Sequence, residues 1–231
     1  MAFDPTKFKA PKAKKLPVIL LLDVSGSMSG EKINSLYDSV MDMLQAFAEA
    51  HVREKMIDVA IITFGNEVLL HTPYTPVDDL RNAGVSRFHA DGMTPMGTAL
   101  KMAKEMIEDK ATTPSHIYRP AVVLVSDGEP NDSWQQPMDA FIRDGRSAKC
   151  QRFAVAIGSD ANQDILRRFC GGDDTLFYAE RASDIVDAFS QISMSVSTRA
   201  ASSNPNQVAT PSNASFDSNV AQDEDDDDLY I

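Results

Sequence analysis

The sequence predicts an α/β domain built on a doubly wound, mostly parallel β-sheet with helices on both faces. Three observations carry this expectation. Four apolar runs rich in Val and Ile recur at wide intervals, LPVILLL (16–22), IDVAIITF (57–64), AVVLVS (121–126) and RFAVAI (152–157). Nearly continuous apolar runs of this length suit strands covered on both faces. Three other stretches place apolar residues at spacings of three and four, the period of a helix with one buried face. The two patterns alternate along the chain, which implies βαβ crossovers.

Taken in order, the first strand, 16–22, leads to a helix whose buried face is Ile33, Leu36, Val40, Met43, Leu44 and Phe47. Ser29, Gly30 and Glu31 mark its start. The strand 57–64 is followed by HTPYTPVDDLRNAGVSRFHADGM (71–93), which has no sustained period and is longer than most connections, as functional or mobile loops tend to be. Ala99, Leu100, Ala103, Met106 and Ile107 then outline a second helix. The strands 121–126 and 152–157 follow, and Ile185, Val186, Phe189, Ile192 and Val196 outline a closing helix. Beyond Arg199 the chain is too polar to bury a core and reads as disordered, ending in DEDDDDLYI. The expected organisation is a basic leader (1–15), one domain (16–199) and a polar linker with an acidic tail (200–231).

With 231 residues, 43% of them hydrophobic, the chain has material for one domain of ordinary size plus extensions. The formal net charge is −12. The first 15 residues hold five lysines and one Asp, while residues 200–231 hold seven acids and no base. No basic patch is visible, which argues against a nucleic-acid or anionic-membrane partner. The lysine-rich start and LPVILLL imitate a secretion signal, but the apolar run is short and charged Asp23 stands where a small-residue cleavage site belongs. No run approaches the roughly 20 apolar residues that span a bilayer. The expected location is cytoplasmic. Cys150 and Cys170 lack metal-ligand spacing and read as buried, reduced thiols, and the four histidines (51, 71, 89 and 116) are scattered singly.

The chemistry concentrates at strand ends. In doubly wound sheets ligands bind beyond the carboxyl ends of the strands, where strand order reverses. Two runs end in Asp, LLLD at Asp23 and LVSD at Asp127. If those strands are neighbours, both carboxylates enter one crevice. In an extended segment Asp23, Ser25 and Ser27 project to the same side, with Gly26 permitting a tight turn between them. Two close carboxylates repel, and one is driven towards protonation unless a cation lies between them. Carboxylates and hydroxyls are hard oxygen donors, suited to Mg²⁺, Ca²⁺ or Mn²⁺.

DVSGSMSG (23–30) resembles the DxSxS signature of von Willebrand factor A domains, in which a metal-ion-dependent adhesion site also takes a Thr and an Asp from two later loops. DGMTPMGTAL supplies Thr94 and LVSDGEPND supplies Asp127, in the expected order, and the resemblance covers about residues 16–197. It implies a Rossmann-like fold and one divalent cation, Mg²⁺ first and Ca²⁺ or Mn²⁺ as alternatives. Ser25 and Ser27 would bind the ion directly, Thr94 directly or through water, and Asp23 and Asp127 largely through waters and hydrogen bonds. An under-neutralised ion then accepts an acidic residue from another protein, so the implied function is metal-dependent protein binding without turnover. TPMG, SDGEPNDSW and the missing signal look similar to the bacterial cytoplasmic TerY-like group linked to tellurite resistance and stress. That likeness implies a protein kinase or phosphatase as partner.

Simpler roles exist for the same residues. Thr94 before Pro95 suits a helix N-cap, and Asp127-Gly128 suits a turn. Met28, Met93 and Met96 suit either a soft rim for a partner or core filling. The enzymatic alternative is a haloacid-dehalogenase-like phosphatase, with Asp127 and Asp132 as its metal-binding acids. It requires a second Asp two residues after Asp23, where Ser25 stands. The phosphate-binding P-loop fails on Glu31 and Ile33, and the GxSxG elbow fails on Met28. A third alternative is an adaptor acting through its acidic tail, which would compete for the ion site as a tethered source of carboxylates.

Overall fold

The computed structural model describes residues 14–49 and 55–206. The elements run β1 (Lys14–Asp23), α1 (Glu31–Glu49), β2 (Lys55–Phe64), β3 (Val68–Pro76), α2 (Val77–Ala83), α3 (Met96–Glu108), β4 (Ala121–Ser126), α4 (Gln135–Arg143), β5 (Gln151–Ile157), α5 (Gln163–Cys170), β6 (Leu176–Ala179) and α6 (Ala182–Ala201). The sheet order is β3-β2-β1-β4-β5-β6. Every neighbouring pair is parallel except β2 with β3. The doubly wound α/β architecture expected from the sequence is the one observed.

Alternation along the strands divides the core between two faces. Leu16, Val18, Leu20 and Leu22 of β1 pack with the apolar sides of α1 and α6, while Ile19 and Leu21 meet α3, α4 and α5. All six residues expected on the inner face of α1 are buried. In α6 the expected stripe holds at Ile185, Phe189, Ile192 and Val196, but Val186 is exposed. One period-breaking residue beside Ile185 falls outside the face that α6 turns to α1.

The segment 71–93 is not one long loop. Its first part completes β3 and continues into α2. The strand signal is weak because β3 is an edge strand with prolines at 73 and 76, register shifts against Ile61, and Leu69 and Leu70 exposed. Only residues 84–95 remain irregular.

α6 runs to Ala201, and the buried Arg199 guanidinium donates to the carbonyls of Pro205 (2.6 Å) and Arg119 and to Gln151 Oε1 (2.9 Å). Burial lowers its pKa to about 10. The expected basic leader, apart from Lys14 and Lys15, and the acidic tail from residue 207 onward lie outside the described residues. Cys150 is buried and Cys170 half-buried, both free, and burial pushes their thiols up to about 12 and about 11. Among the described residues no helix is long and apolar enough to cross a membrane.

Replacing Arg199 by Ala leaves three acceptors beneath the end of α6 without their donor. The expected cost is about 2–4 kcal/mol of unfolding free energy, read as a lower midpoint in urea denaturation with an unchanged slope.

Candidate metal centre

β1 and β4 are adjacent, with Leu22 opposite Val125. After β1 the chain turns to β2 on one side, and after α3 it returns to β4 on the other, so the switch in strand order falls between them. Asp23 and Asp127 therefore emerge at the same carboxyl edge, and both are buried.

A continuous set of hydrogen bonds joins the site. Ser126 Oγ donates to Asp23 Oδ2 (2.6 Å), and the Ser25 amide donates to Asp23 Oδ1 (2.9 Å). Ser25 Oγ and Ser27 Oγ are 3.0 Å apart, and Ser27 Oγ donates to Asp127 Oδ1 at 2.7 Å. A hydroxyl has one proton to give, so Ser25 is the donor between the two serines. Asp127 Oδ2 accepts from Lys32 Nζ at 2.6 Å.

The local backbone departs from the extended segment expected at 23–27. Ser25 is extended, but Gly26–Met28 form a 3-10 turn, and this turn brings Ser27 alongside Ser25. Gly26 keeps an ordinary φ, and its amide donates to Gly92 O (3.0 Å). The glycine that the site requires is Gly92, with φ +77°, where a Cβ would lie 2.4 Å from the Asn66 backbone. It lets the 88–95 loop lie against Asn66, just after β2, while its carbonyl accepts from the serine turn.

Thr94 is buried on that loop, facing Gly128, where an added Cβ would come within 3.9 Å of Thr94 Oγ1. Its carbonyl accepts from Asn131 N (3.1 Å), joining the loop to the one that follows β4. Thr94 is not the N-cap of α3. The N-cap position is Pro95, and the amides of the first turn are met from afar by Asp132, whose carboxylate accepts from Gly97 N (2.9 Å), Thr98 N (2.8 Å) and Thr98 Oγ1 (2.9 Å). The Thr94 hydroxyl is thereby free of capping. Of the three methionines, Met28 and Met96 are core residues and Met93 is 64% exposed at the rim.

The five residues singled out from the sequence, Asp23, Ser25, Ser27, Thr94 and Asp127, thus come from three loops to one edge. Lys32 and Ser126 were not anticipated as parts of the site, and Asp132, weighed from the sequence as a metal-binding acid of the phosphatase alternative, is instead engaged with α3. Ser126 carried a signal, since a hydroxyl directly precedes the second strand-end Asp. Lys32 carried none beyond its charge on the first turn of α1.

Asp23 is poorly compensated. Burial raises the Asp23 pKa, hydrogen bonds from Ser126 and Ser25 oppose the rise, and the charge of Asp127 adds to it. A divalent cation fits such a place, because it favours the ionised carboxylate that burial disfavours. Among the described residues no group of three or more His, Cys, Asp or Glu is placed to hold a metal. An ion here would depend on hydroxyls, which points to a hard cation.

The fold and this edge define an α/β domain with a hydroxyl-and-carboxylate cluster at the topological switch. The chain belongs to the von Willebrand factor type A domain family, which matches residues 18–191. Among solved structures it is similar to proximal thread matrix protein 1 from the mussel byssus, with a zinc-occupied MIDAS motif (TM-score 0.63, 17% identity, 78% of this chain and 47% of that one). It is also similar to a von Willebrand factor type A protein from Catenulispora acidiphila (0.60, 19%, 79% and 42%). A third is the manganese-loaded TRAP protein of Plasmodium vivax (0.53, 18%, 77% and 73%). The chain spans just under half the length of the mussel and Catenulispora proteins. At these identities the likeness establishes the fold. No curated protein matches the chain.

Because the folded Asp23 pKa lies above its unfolded value, a proton on Asp23 stabilises the metal-free fold below the unfolded pKa, and this contribution is lost as pH rises through the folded pKa. Asp23→Asn should therefore melt at a higher temperature than wild type at pH 7 in EDTA, and the advantage should vanish near pH 3. Thermal melts across that range check the sign.

Proposed function

We propose that this chain is a non-enzymatic, divalent-cation-dependent protein-interaction domain. Ser25, Ser27 and Thr94 would hold the ion through their hydroxyls. Asp23 and Asp127 would act through hydrogen bonds and water, and an acidic residue of another protein would complete the coordination. The observation that carries this reading is the unbroken link from Asp23 through Ser25 and Ser27 to Asp127 at the switch point. Mg²⁺ is the expected ion, with Ca²⁺ or Mn²⁺ as alternatives, and the zinc and manganese of the related structures support a divalent site.

The family's interaction role gives the class. The finer setting follows from the TerY-like motifs: a bacterial stress or tellurite-resistance system, in the cytoplasm, with a protein kinase or phosphatase as partner. In this reading residues 16–199 form the binding domain, with the basic leader at 1–15 and the acidic tail within 200–231 as appendages. The phosphatase alternative loses support from Asp132, which is engaged as the cap of α3, and from Ser25, which stands where that chemistry needs an acid.

The test is Mn²⁺ binding by the full chain, followed by the paramagnetic resonance of free Mn²⁺. Wild type should bind one ion, and the Ser25→Ala, Ser27→Ala double variant should bind at least tenfold more weakly. Equal affinity in a folded double variant refutes the assignment. Robust hydrolysis of a small aryl phosphate with Mg²⁺, abolished by Asp23→Asn, would favour the enzymatic reading instead.

A further inference from the structure

Among the described residues, Lys32 is the one charged side chain in hydrogen-bond contact with the site that the proposed function does not use. It lies in the first turn of α1, where a helix N-terminus favours anions over cations. Packing does not account for it either, since its side chain is 36% exposed while that of Asp127 is fully buried. The chain passes over the end of β5, where a Cβ added at Gly158 would lie 3.6 Å from Lys32 Nζ. From there the ammonium reaches Asp127 Oδ2 at 2.6 Å, while Oδ1 of the same carboxylate takes the Ser27 hydroxyl. Asp127 is thus shared between the hydroxyl cluster and a built-in cation.

Other acids near this edge are engaged elsewhere. Asp132 caps α3, Asp91 accepts from Gly92 N (2.8 Å), and Glu129 accepts from Asn162 Nδ2 (2.6 Å). None of them offsets the ammonium in a hydrogen-bonded pair.

We propose that Lys32 is a fixed counter-charge that weakens the hold on the metal and keeps the loaded site positive, so that the site selects an acidic partner. The inference rests on the metal-binding reading above. Asp23 and Asp127 together cancel a divalent ion, leaving a neutral site. Lys32 adds one positive charge, which a single incoming carboxylate neutralises. Without Lys32 the same carboxylate would bring excess negative charge into a partly buried place, where unscreened charges interact strongly. Firm retention of the metal is thereby coupled to arrival of the partner.

The experiment compares Mn²⁺ affinity at low salt for wild type, Lys32→Met and Lys32→Arg, in the full chain, with thermal melts confirming that each is folded. Lys32→Met should bind Mn²⁺ about tenfold more tightly, with the difference shrinking as salt is raised, and Lys32→Arg should stay near wild type. If Lys32→Met binds Mn²⁺ equally or more weakly, the lysine positions Asp127 instead of opposing the ion, and the inference is overturned while the metal site stands. If neither wild type nor Lys32→Met takes up Mn²⁺, the metal-binding reading falls and the inference falls with it.

Discussion

Two carboxylates buried at one edge of an apolar sheet are the constraint on which this structure turns. The strands that carry Asp23 and Asp127 are almost wholly hydrophobic, and helical layers on both sides remove water from their ends. Desolvation of an anion is costly, and two anions at close range compound the cost. The protein offsets it with hydroxyl and amide donors and one ammonium, yet burial still drives Asp23 towards its neutral form. Such a place is electrostatically incomplete, and that incompleteness is what supports the cation proposed for it.

Topology supplies what no local sequence does. Parallel pairing of β1 with β4 fixes the two carboxylates relative to one another through the most rigid part of the fold, while the hydroxyls arrive on loops. Those loops are locked by backbone contacts. Gly92 O accepts from Gly26, Thr94 O accepts from Asn131, and Asp132 ties the start of α3 to the loop after β4. The last of these has a chemical consequence, because a remote carboxylate takes over the capping role that Thr94 would fill in an isolated helix.

Much of this was legible in the chain. Central strands declare themselves by continuous apolar runs, and α1 and α3 by long stripes, so the fold class and the carboxyl-edge location follow from pattern alone. The edges did not show. β3 is half-exposed and broken by prolines, β6 has four residues, and α4 and α5 bury only two or three apolar side chains each, too few to establish a period. Four of the five oxygen-bearing residues were singled out because strand ends and DxSxS spacing are local signals, and Thr94 through the family resemblance. Lys32 was not, and Asp132 was noticed only as a metal-binding acid of the phosphatase alternative and not as a cap, since each acts on a residue far away in sequence, Lys32 across 95 positions and Asp132 across about 35.

Neutral donors at this edge also bear on what the domain is built to do. A site of several carboxylates satisfies a divalent ion from within and needs no outside ligand. Ser25, Ser27 and Thr94 donate lone pairs without charge, so an ion held among them keeps much of its own, and Lys32 subtracts from the little negative charge that Asp127 provides. Hydrolysis would need a nucleophile or base opposite the ion; of the acids near this edge, Asp23 and Asp127 are buried, Asp132 is bound to α3, Asp91 accepts from Gly92 N and Glu129 accepts from Asn162. In the proposed reading the bound ion would present one electrophilic point beside an exposed methionine, Met93, on a chain of net charge −12. Under that proposal an incoming carboxylate is attracted at one spot, while the net negative charge of the chain opposes acidic partners elsewhere.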